Sequence, residues 1–298
     1  MKILSIVISY NFMRWIDQCI PSLLQSEAPT DILVIDNAST DETVTALQER
    51  YPQVRLIANG TNLGFGRANN IGMQLALDEG YDGVFLINQD AWIEPNTLAQ
   101  LIEASKRHPD FGILSPLHLR GDGKQLDAGF AAYTGVKEFG TEKSDQSLHA
   151  VPFINAALWY IPIAVIQKVG LFAPLFYHYG EDKDYANRLH YHGFQIGYVP
   201  TAIGYHDRAE RTFSRQLFFR TEYVYHLSEY ANINHTFPQA FAYGVLAPLK
   251  KALKSWTKGK WHDGADYIVL SANLLWRTLE VWKTRHLHFT LPLYTFGL

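Results

Sequence analysis

Five short apolar runs divide the first 115 residues: Ile3–Ile8, Ile32–Ile35, Val54–Ala58, Val84–Ile87 and Gly112–Ser115. Each has strand length, and the first is rich in β-branched residues. The stretches between them change period. Trp15, Ile16, Cys19, Ile20, Leu23 and Leu24 share one face at 3.6-residue spacing, and Ala68, Ile71, Leu75 and Ala76 form the stripe of a helix from Arg67 to Asp78. Ser39-Thr40-Asp41-Glu42 reads as a capping box before Val44 and Leu47, and Pro95 opens a helix carrying Leu98, Leu101 and Ile102. This alternation predicts an α/β fold, with a mostly parallel sheet flanked by helices on both faces.

Such sheets bind ligands beyond the carboxyl ends of their strands. Here the first, second and fourth runs end in Ser9-Tyr10-Asn11, Asp36-Asn37 and Asn88-Gln89-Asp90. One polar strand end is ordinary loop chemistry; three on one edge point to a site. Composition removes other classes. With 47% hydrophobic and 18% charged residues the chain is globular, and a net charge of -3 disfavours nucleic acid as a partner. The single Cys19 excludes an internal disulfide and a cysteine zinc cluster, and fits a reducing, cytoplasmic compartment. The run after Lys2 is too short for a leader or a span, and Asp266–Trp282 is interrupted by Asn273, Arg277 and Glu280.

Downstream, residues 117–150 read as an irregular, substrate-side excursion containing Gly121, Gly123, Gly129, Gly135 and Gly140. Phe153–Tyr160 follows, then a short helix from Ile163 to Val169. Another runs from Glu181 to His192 with Gly193 as its cap. Gln195–Val199 reads as a strand, and Phe213–Tyr230 and parts of 237–284 as helical.

Five segments then occur in order: Ile6-Val7-Ile8-Ser9-Tyr10-Asn11; Val34-Ile35-Asp36-Asn37-Ala38-Ser39-Thr40-Asp41; Asn62-Leu63-Gly64-Phe65-Gly66-Arg67-Ala68-Asn69-Asn70; Leu86-Ile87-Asn88-Gln89-Asp90-Ala91; and Gly180-Glu181-Asp182-Lys183-Asp184. Together they resemble family 2 glycosyltransferases of the GT-A fold. That group is inverting and nucleotide-sugar-dependent, and the similarity is greatest to its rhamnosyltransferase-like branch, which builds bacterial surface polysaccharides. The resemblance covers residues 1–230. It implies a Rossmann-like GT-A domain over 1–234, with a nucleotide-binding half (1–115) and an acceptor and catalytic half (116–234). A basic, aromatic helical appendage would occupy 235–298.

Each motif has a chemical task under that resemblance. Asp36 can accept hydrogen bonds from a base or ribose hydroxyl, and Ser9, Tyr10 and Asn11 can frame the base, Tyr10 with a stacking face. The structural alternatives are a helix cap for Asp36 and core packing for Tyr10. Gly64-Phe65-Gly66-Arg67 turns tightly ahead of a helix whose free N–H groups suit an anion, with Arg67 adding charge. It lacks the third glycine of a dinucleotide fingerprint and follows the third strand, which argues against that use. The resemblance places Asn37, Ala68 and Asn69 near the donor nucleotide; Asn69 bracing the loop is the alternative. Asn88-Gln89-Asp90 stands where the family has its D-x-D motif, so Asp90 is the expected ligand of Mn²⁺ or Mg²⁺. Asn88 replaces the first Asp, and Asn88 and Gln89 would face the donor sugar. His206, with Asp207 as the weaker choice, would complete the metal or diphosphate site. Asp182 is the expected general base, with Glu181 and Asp184 orienting it or the donor sugar; complementing the helix dipole is the alternative for these acids. Arg211, Arg215 and Arg220 could meet diphosphate or acceptor charge. Phe176-Tyr177-His178-Tyr179 and Trp159-Tyr160 offer rings to an acceptor sugar, or simply pack in the core.

From His235 onward there are eight Lys/Arg against three Asp/Glu, net +5, leaving the rest of the chain at -8. Lys250, Lys251, Lys254, Lys258 and Lys260 cluster beside Trp256 and Trp261. This combination suits peripheral contact with anionic lipid at the inner membrane face, near a lipid-linked acceptor; a solvated face or a homo-oligomer contact is the other reading. The partners expected are therefore a nucleoside-diphosphate sugar and a carbohydrate or lipid-linked acceptor. Two rivals remain. A sugar nucleotidyltransferase needs a basic glycine-rich loop where this chain has Ser9-Tyr10-Asn11-Phe12. A non-catalytic nucleotide-sugar-binding module is favoured by Asn88 and opposed by Asp90 and Asp182.

Overall fold

The structure is a computed structural model and describes residues 1–138, 148–208 and 214–290. Gly140, Arg211 and Phe213 lie outside the described residues. Nine strands form one sheet: β1 (Ile3–Ser9), β2 (Asp31–Asp36), β3 (Arg55–Ala58), β4 (Gly83–Asn88), β5 (Ala91–Ile93), β6 (Phe111–Arg120), β7 (His149–Val151), β8 (Leu158–Pro162) and β9 (Gln195–His206). Their order is β3-β2-β1-β4-β8-β6-β9-β5, with β7 also on β9. The helices of the sheet half are α1 (Ile16–Leu24), α2 (Thr43–Arg50), α3 (Phe65–Asp78), α4 (Thr97–Arg107), α5 (Ala128–Thr134), α6 (Ile163–Val169) and α7 (Glu181–Tyr191). Then come α8 (Arg215–Ala231), α9 (Phe237–Phe241), a π-helical turn (Ala242–Leu246), α10 (Ala247–Trp256), α11 (Trp261–Trp276) and α12 (Thr278–Thr290).

β1 shows why the apolar runs are continuous. Leu4 and Ile6 point into a core with Ala68, Met73 and Ala76 of α3, while Ile3 and Val7 point into a second core with Ile16, Cys19, Ile20 and Leu23 of α1. Both faces are covered, so no polar alternation is needed. Each fully buried aliphatic side chain contributes about 1.5–3 kcal/mol.

The sheet is parallel across β3-β2-β1-β4 and mixed beyond, because β8 runs antiparallel to both β4 and β6. The strand–helix alternation that enforces parallel pairing ends near residue 115. Two strands are also longer than predicted. β6 continues to Arg120 and β9 to His206, where the sequence reading ends them at Ser115 and Val199. Both contain a proline, and the ladder skips there: Pro116 pairs with Val199, then Leu117 with Ile203. The residues between bulge out, which absorbs the donor a proline lacks and lets pairing resume. Residues 117–150 are thus less irregular than predicted, since they include the end of β6, all of α5 and the start of β7.

The proposed capping box does not form. α2 begins at Thr43, whose amide donates to Asp41 Oδ1 at 3.1 Å, while the Ser39 hydroxyl donates to Asp36 instead. The carboxylate at the end of β2 is the stronger acceptor.

The C-terminal helices share a core with the segment ahead of α7. Leu227 and Tyr230 of α8, Leu270 and Leu274 of α11 and Val281 of α12 pack with Ala173, Leu175 and Phe176. Arg277 reinforces this, donating to the Leu175 carbonyl at 3.1 Å and the Tyr223 hydroxyl at 3.1 Å. Buried Arg188 does similar work inside the sheet half. Its Nε donates to Asp184 Oδ2 at 2.9 Å, and its two Nη groups donate to the Val169 and Leu171 carbonyls at 2.8 Å each. It thereby ties the end of α6 to α7. Asp184→Asn leaves that guanidinium buried without its counter-charge and is expected to cost about 3–5 kcal/mol, read as a lower urea midpoint.

Candidate active site

The first corner of the site is built where β1 and β2 end. Ser9 lies opposite Asp36 in the parallel register, and its hydroxyl donates to Asp36 Oδ1 at 2.9 Å. The Ser39 amide donates to Asp36 Oδ2 at 2.9 Å. Asn11, in the left-handed region at φ 53°, accepts the Thr40 amide on its side-chain oxygen at 2.9 Å, and its own amide donates to Ser39 Oγ at 2.9 Å. Gln89 clasps the next residue: its Oε1 accepts the Tyr10 amide at 2.8 Å and its Nε2 donates to the Tyr10 carbonyl at 3.1 Å. The Tyr10 ring stays out of the core, 46% exposed, beside a buried and braced Asp36.

The loop into α3 forms a second wall. Asn37 is buried and takes no part in the open surface; it donates to the Gly64 carbonyl at 3.2 Å and accepts from Asn59 at 3.1 Å. Asn69 is buried too and donates to the Phe65 carbonyl one turn back at 3.0 Å. Gly64 has φ +78°, and a Cβ there would lie 2.1 Å from the Tyr177 carbonyl oxygen, so only glycine fits. The loop therefore lies against the segment that leads into α7. Exposed Arg67 reaches the Pro174 carbonyl at 3.4 Å.

Beyond β4 stands a cluster of carboxylates and imidazoles. The ends of β5 and β9 pair Ala91 with His206, which sets His206 Nε2 3.4 Å from Asp90 Oδ1. His206 Nδ1 accepts from Arg208 Nε at 3.2 Å and lies 3.8 Å from Asp127 Oδ2. His118, on the extended part of β6, is fully buried; one ring nitrogen meets Ser115 Oγ at 2.8 Å and Nδ1 has no partner. Burial first, then the nearby His206 and Arg208, holds His118 well below the ordinary histidine pKa, so it is neutral. Ligand atoms of His118, Asp127 and His206 lie within 4.8 Å of one another. An orphaned imidazole nitrogen beside this mixed N/O donor set fits a divalent cation. Asp207 is committed elsewhere, accepting from Trp15 Nε1 at 2.8 Å and Arg14 at 3.1 Å.

The start of α7 closes the arrangement. Tyr179 and Gly180 both have positive φ, 69° and 94°. A Cβ on Gly180 would meet Phe176 at 2.8 Å and Val224 at 2.9 Å. This turn presents Glu181 and Asp182 at the helix N-terminus. The Asp182 carboxylate accepts the amides of Lys183 and Ala156. The neighbouring Ala157 carbonyl accepts the Asn88 amide at 2.9 Å, and Asn88 flanks Ile8 in the sheet. Backbone hydrogen bonds thus link Asp182 to the strand edge that carries Asp36 and Asp90. Burial raises the Asp182 pKa despite those amides. Glu181 is pushed up to about 8, by burial and then by Asp182, and its Oε2 has no partner. Burial raises the Tyr133 pKa on α5, and the charges of Asp182, Arg208 and Asp127 also act on it, so it lies near both clusters.

Other expected residues are engaged elsewhere. Asp184 is buried in its pair with Arg188. Trp159 and Tyr160 are fully buried in β8, while Tyr177 is 60% exposed. Arg215 pairs with Asp263 and Asp266 of α11, and Arg220 stacks on Tyr179 at 5.2 Å. His118, Asp127, Tyr133 and Arg208 were absent from the sequence reading. Asp127 had one legible signal, an N-cap position, and its carboxylate does accept the Phe130 amide at 2.8 Å.

Comparison with known proteins follows the same outline. Residues 5–155 match the family model described as glycosyl transferase family 2. Over 234 residues the chain is 30% identical to N-acetylglucosaminyl-diphospho-decaprenol L-rhamnosyltransferase of Mycobacterium tuberculosis, covering 70% of this chain and 76% of that one. Among solved structures, TarS 1-349 of S. aureus in complex with UDP-GlcNAc superposes with a TM-score of 0.56 at 15% identity, over 97% of this chain and 91% of that one. The mannosyltransferase PcManGT of Pyrobaculum calidifontis, in complex with GDP-Man and Mn²⁺, gives 0.55 at 18%, over 98% and 76%. At such identities these two likenesses concern the fold alone.

The Glu181 shift has a consequence for stability. A carboxyl whose pKa is raised on folding binds more protons in the native state, so stability falls as pH rises from about 4.5 to about 8. Glu181→Gln is expected to flatten that fall, measured as urea midpoints across the interval.

Proposed function

The chain belongs to glycosyl transferase family 2, carries the GT-A fold and is a glycosyltransferase, and from that premise we propose that it transfers a sugar from a nucleoside diphosphate to an acceptor hydroxyl with inversion at the anomeric carbon. The observation that supports this reading is the chain of strand pairings and backbone hydrogen bonds that ties the segments bearing Asp36, Asp90 and Asp182 to one strand edge, the last at a helix N-terminus. Residues 1–115 would hold the nucleotide and 116–234 the acceptor and the catalytic groups, with 235–298 an appended segment.

In this reading Ser9, Tyr10, Asn11 and Asp36 line the base and ribose, with the exposed Tyr10 ring as a stacking face. Asn37 and Asn69 act on the nucleotide indirectly, by bracing the loop into α3, and Arg67 adds charge at its rim. Asp90 and His206 would hold a divalent cation, with Asp127 and His118 behind His206. When bound, such a cation neutralises charge that builds on the departing diphosphate. Asp182 takes the proton from the acceptor hydroxyl as its oxygen attacks the anomeric carbon. Burial pushes both Glu181 and Asp182 up, which makes the pair more basic than free carboxylates, and the amides of Lys183 and Ala156 favour the charged form of Asp182. Asn88 and Gln89 border the donor sugar, and Asp184 acts through the fold by fixing α7.

The donor class is supported by the solved relatives' UDP-GlcNAc and GDP-Man, and the cation by the Mn²⁺ in PcManGT. The name of the M. tuberculosis relative supports a deoxyhexose or hexose donor and a lipid-linked acceptor, as in bacterial surface polysaccharide or glycolipid synthesis. No described helix is long and apolar enough to cross a membrane. The enzyme would meet a lipid-linked acceptor peripherally, at the inner face, through its basic C-terminal segment.

Asp182→Asn is expected to lower transfer by about 10²–10⁴-fold or more while calorimetry shows donor binding intact; a fully active variant removes Asp182 from the role. Asp90→Ala is expected to weaken donor binding in Mn²⁺ and to change little in EDTA. If the parent binds donor equally with and without Mn²⁺, Asp90 is not a cation ligand. A thermal-shift screen of UDP-, dTDP- and GDP-sugars identifies the donor.

A further inference from the structure

α11 has two apolar faces. Gly264, Tyr267, Leu270, Ser271 and Leu274 are buried against the rest of the protein. On the other side Ala265, Ile268, Val269, Ala272, Leu275 and Trp276 recur at the spacing of a second helical stripe, and all are exposed. Trp276 is 90% exposed, Val269 58% and Leu275 52%. A helix that faces water normally turns charged residues outward, yet no charged residue lies between Asp266 and Arg277. The apolar surface continues onto α12 with Leu279, 63% exposed, and Trp282, 50% exposed. Contiguous exposed apolar surface of this kind marks an interaction site.

We propose that this face of α11, with the start of α12, is a docking surface that seats on an anionic phospholipid bilayer. By placing the enzyme at a membrane the proposal deepens the lipid-linked-acceptor reading above, and rests on it. Charge selects the occupant. The segment from His235 is net +5 while the remainder is -8, so a second copy docked face to face would bring like charges together, whereas anionic headgroups attract them. α10 lies antiparallel beside α11, because Trp256 at its end meets Gly264 and the Ser271 hydroxyl donates to the Val245 carbonyl at 2.7 Å ahead of its start. It carries exposed Lys250 and Lys254. On α12, exposed Lys283 follows Trp282, whose ring stacks on His286 at 5.5 Å. Tryptophans with lysines beside an apolar stripe are the composition of an interfacial helix.

The placement serves the site. α11 packs on α8 through Tyr267 and Phe219, with ring centroids 5.0 Å apart. α8 in turn meets the α7 turn, where Val224 closes on Gly180 and Arg220 covers Tyr179. A bilayer seated on the outer face of α11 is therefore linked to the turn that presents Asp182 through two packed helices, α11 and α8.

The test is co-sedimentation of the full chain with vesicles of phosphatidylcholine, with and without phosphatidylglycerol. The parent is expected to pellet with the anionic vesicles and to be released by salt. Trp276→Glu with Leu279→Glu, both solvent-facing, is expected to lose binding at least about tenfold with an unchanged melting temperature. Lys250→Glu with Lys254→Glu is expected to lose only the salt-sensitive part. Three results overturn the proposal: no sedimentation of the parent; a Trp276→Glu/Leu279→Glu variant that pellets like the parent, including when removal of residues 291–298 abolishes binding; or light scattering that shows a dimer dissociated by Trp276→Glu without vesicle binding. Donor hydrolysis in solution separates the two readings. Hydrolysis without vesicle binding overturns the docking surface alone, and vesicle binding without use of any lipid-linked acceptor overturns the acceptor reading alone.

Discussion

Parallel pairing of β1 with β2 and β4 is the constraint on which the rest depends. It sets Ser9 opposite Asp36 and Ile8 opposite Asn88. Three chain segments therefore leave the sheet side by side, and their polar residues hydrogen-bond across the gaps instead of dispersing. Asn11 to Ser39 and Thr40, Gln89 to Tyr10, and Asn37 to Gly64 are all bonds between separate loops. Much of the polarity at this edge builds the rim itself. What is left open is chiefly the Tyr10 ring, with Asp90 and Asp182 half-buried beyond it.

A second dependency runs through the proline bulge shared by β6 and β9. Without the skip from Pro116–Val199 to Leu117–Ile203, pairing would stop short of the site. With it, β9 carries His206 to the side of β5 and Asp90, and β6 carries His118 alongside. An irregularity in the ladder thus places the imidazoles, as bulges near functional sites often do.

The sequence made the first half legible because strand and helix periods alternate there without interruption, and the strand ends followed from that alternation. It hid the second half for identifiable reasons. Pro116 and Pro200 look like stops, so the continuous strands past them were not read; His118 was missed, while His206 stayed legible as a candidate ligand. Asp127 sat inside a glycine-rich stretch that read as loop, although its position ahead of Ala128-Gly129-Phe130 was a cap signal. Asn37 and Ser39 show another limit: a polar side chain facing a ligand and one bracing a neighbouring loop have the same composition, and only coordinates separate them. The outer stripe of α11 was not legible, because periodicity finds apolar residues on both sides of a helix without saying which side is covered.

The Tyr179–Gly180 turn places three acids in the first turn of one helix, and the structure sorts them. Asp184 is neutralised by Arg188, while Glu181 and Asp182 stand side by side, each pushed up by burial. Each charge disfavours the other, so once one carboxyl gives up its proton its neighbour holds its own more firmly. A change at either acid therefore shifts the basicity of both.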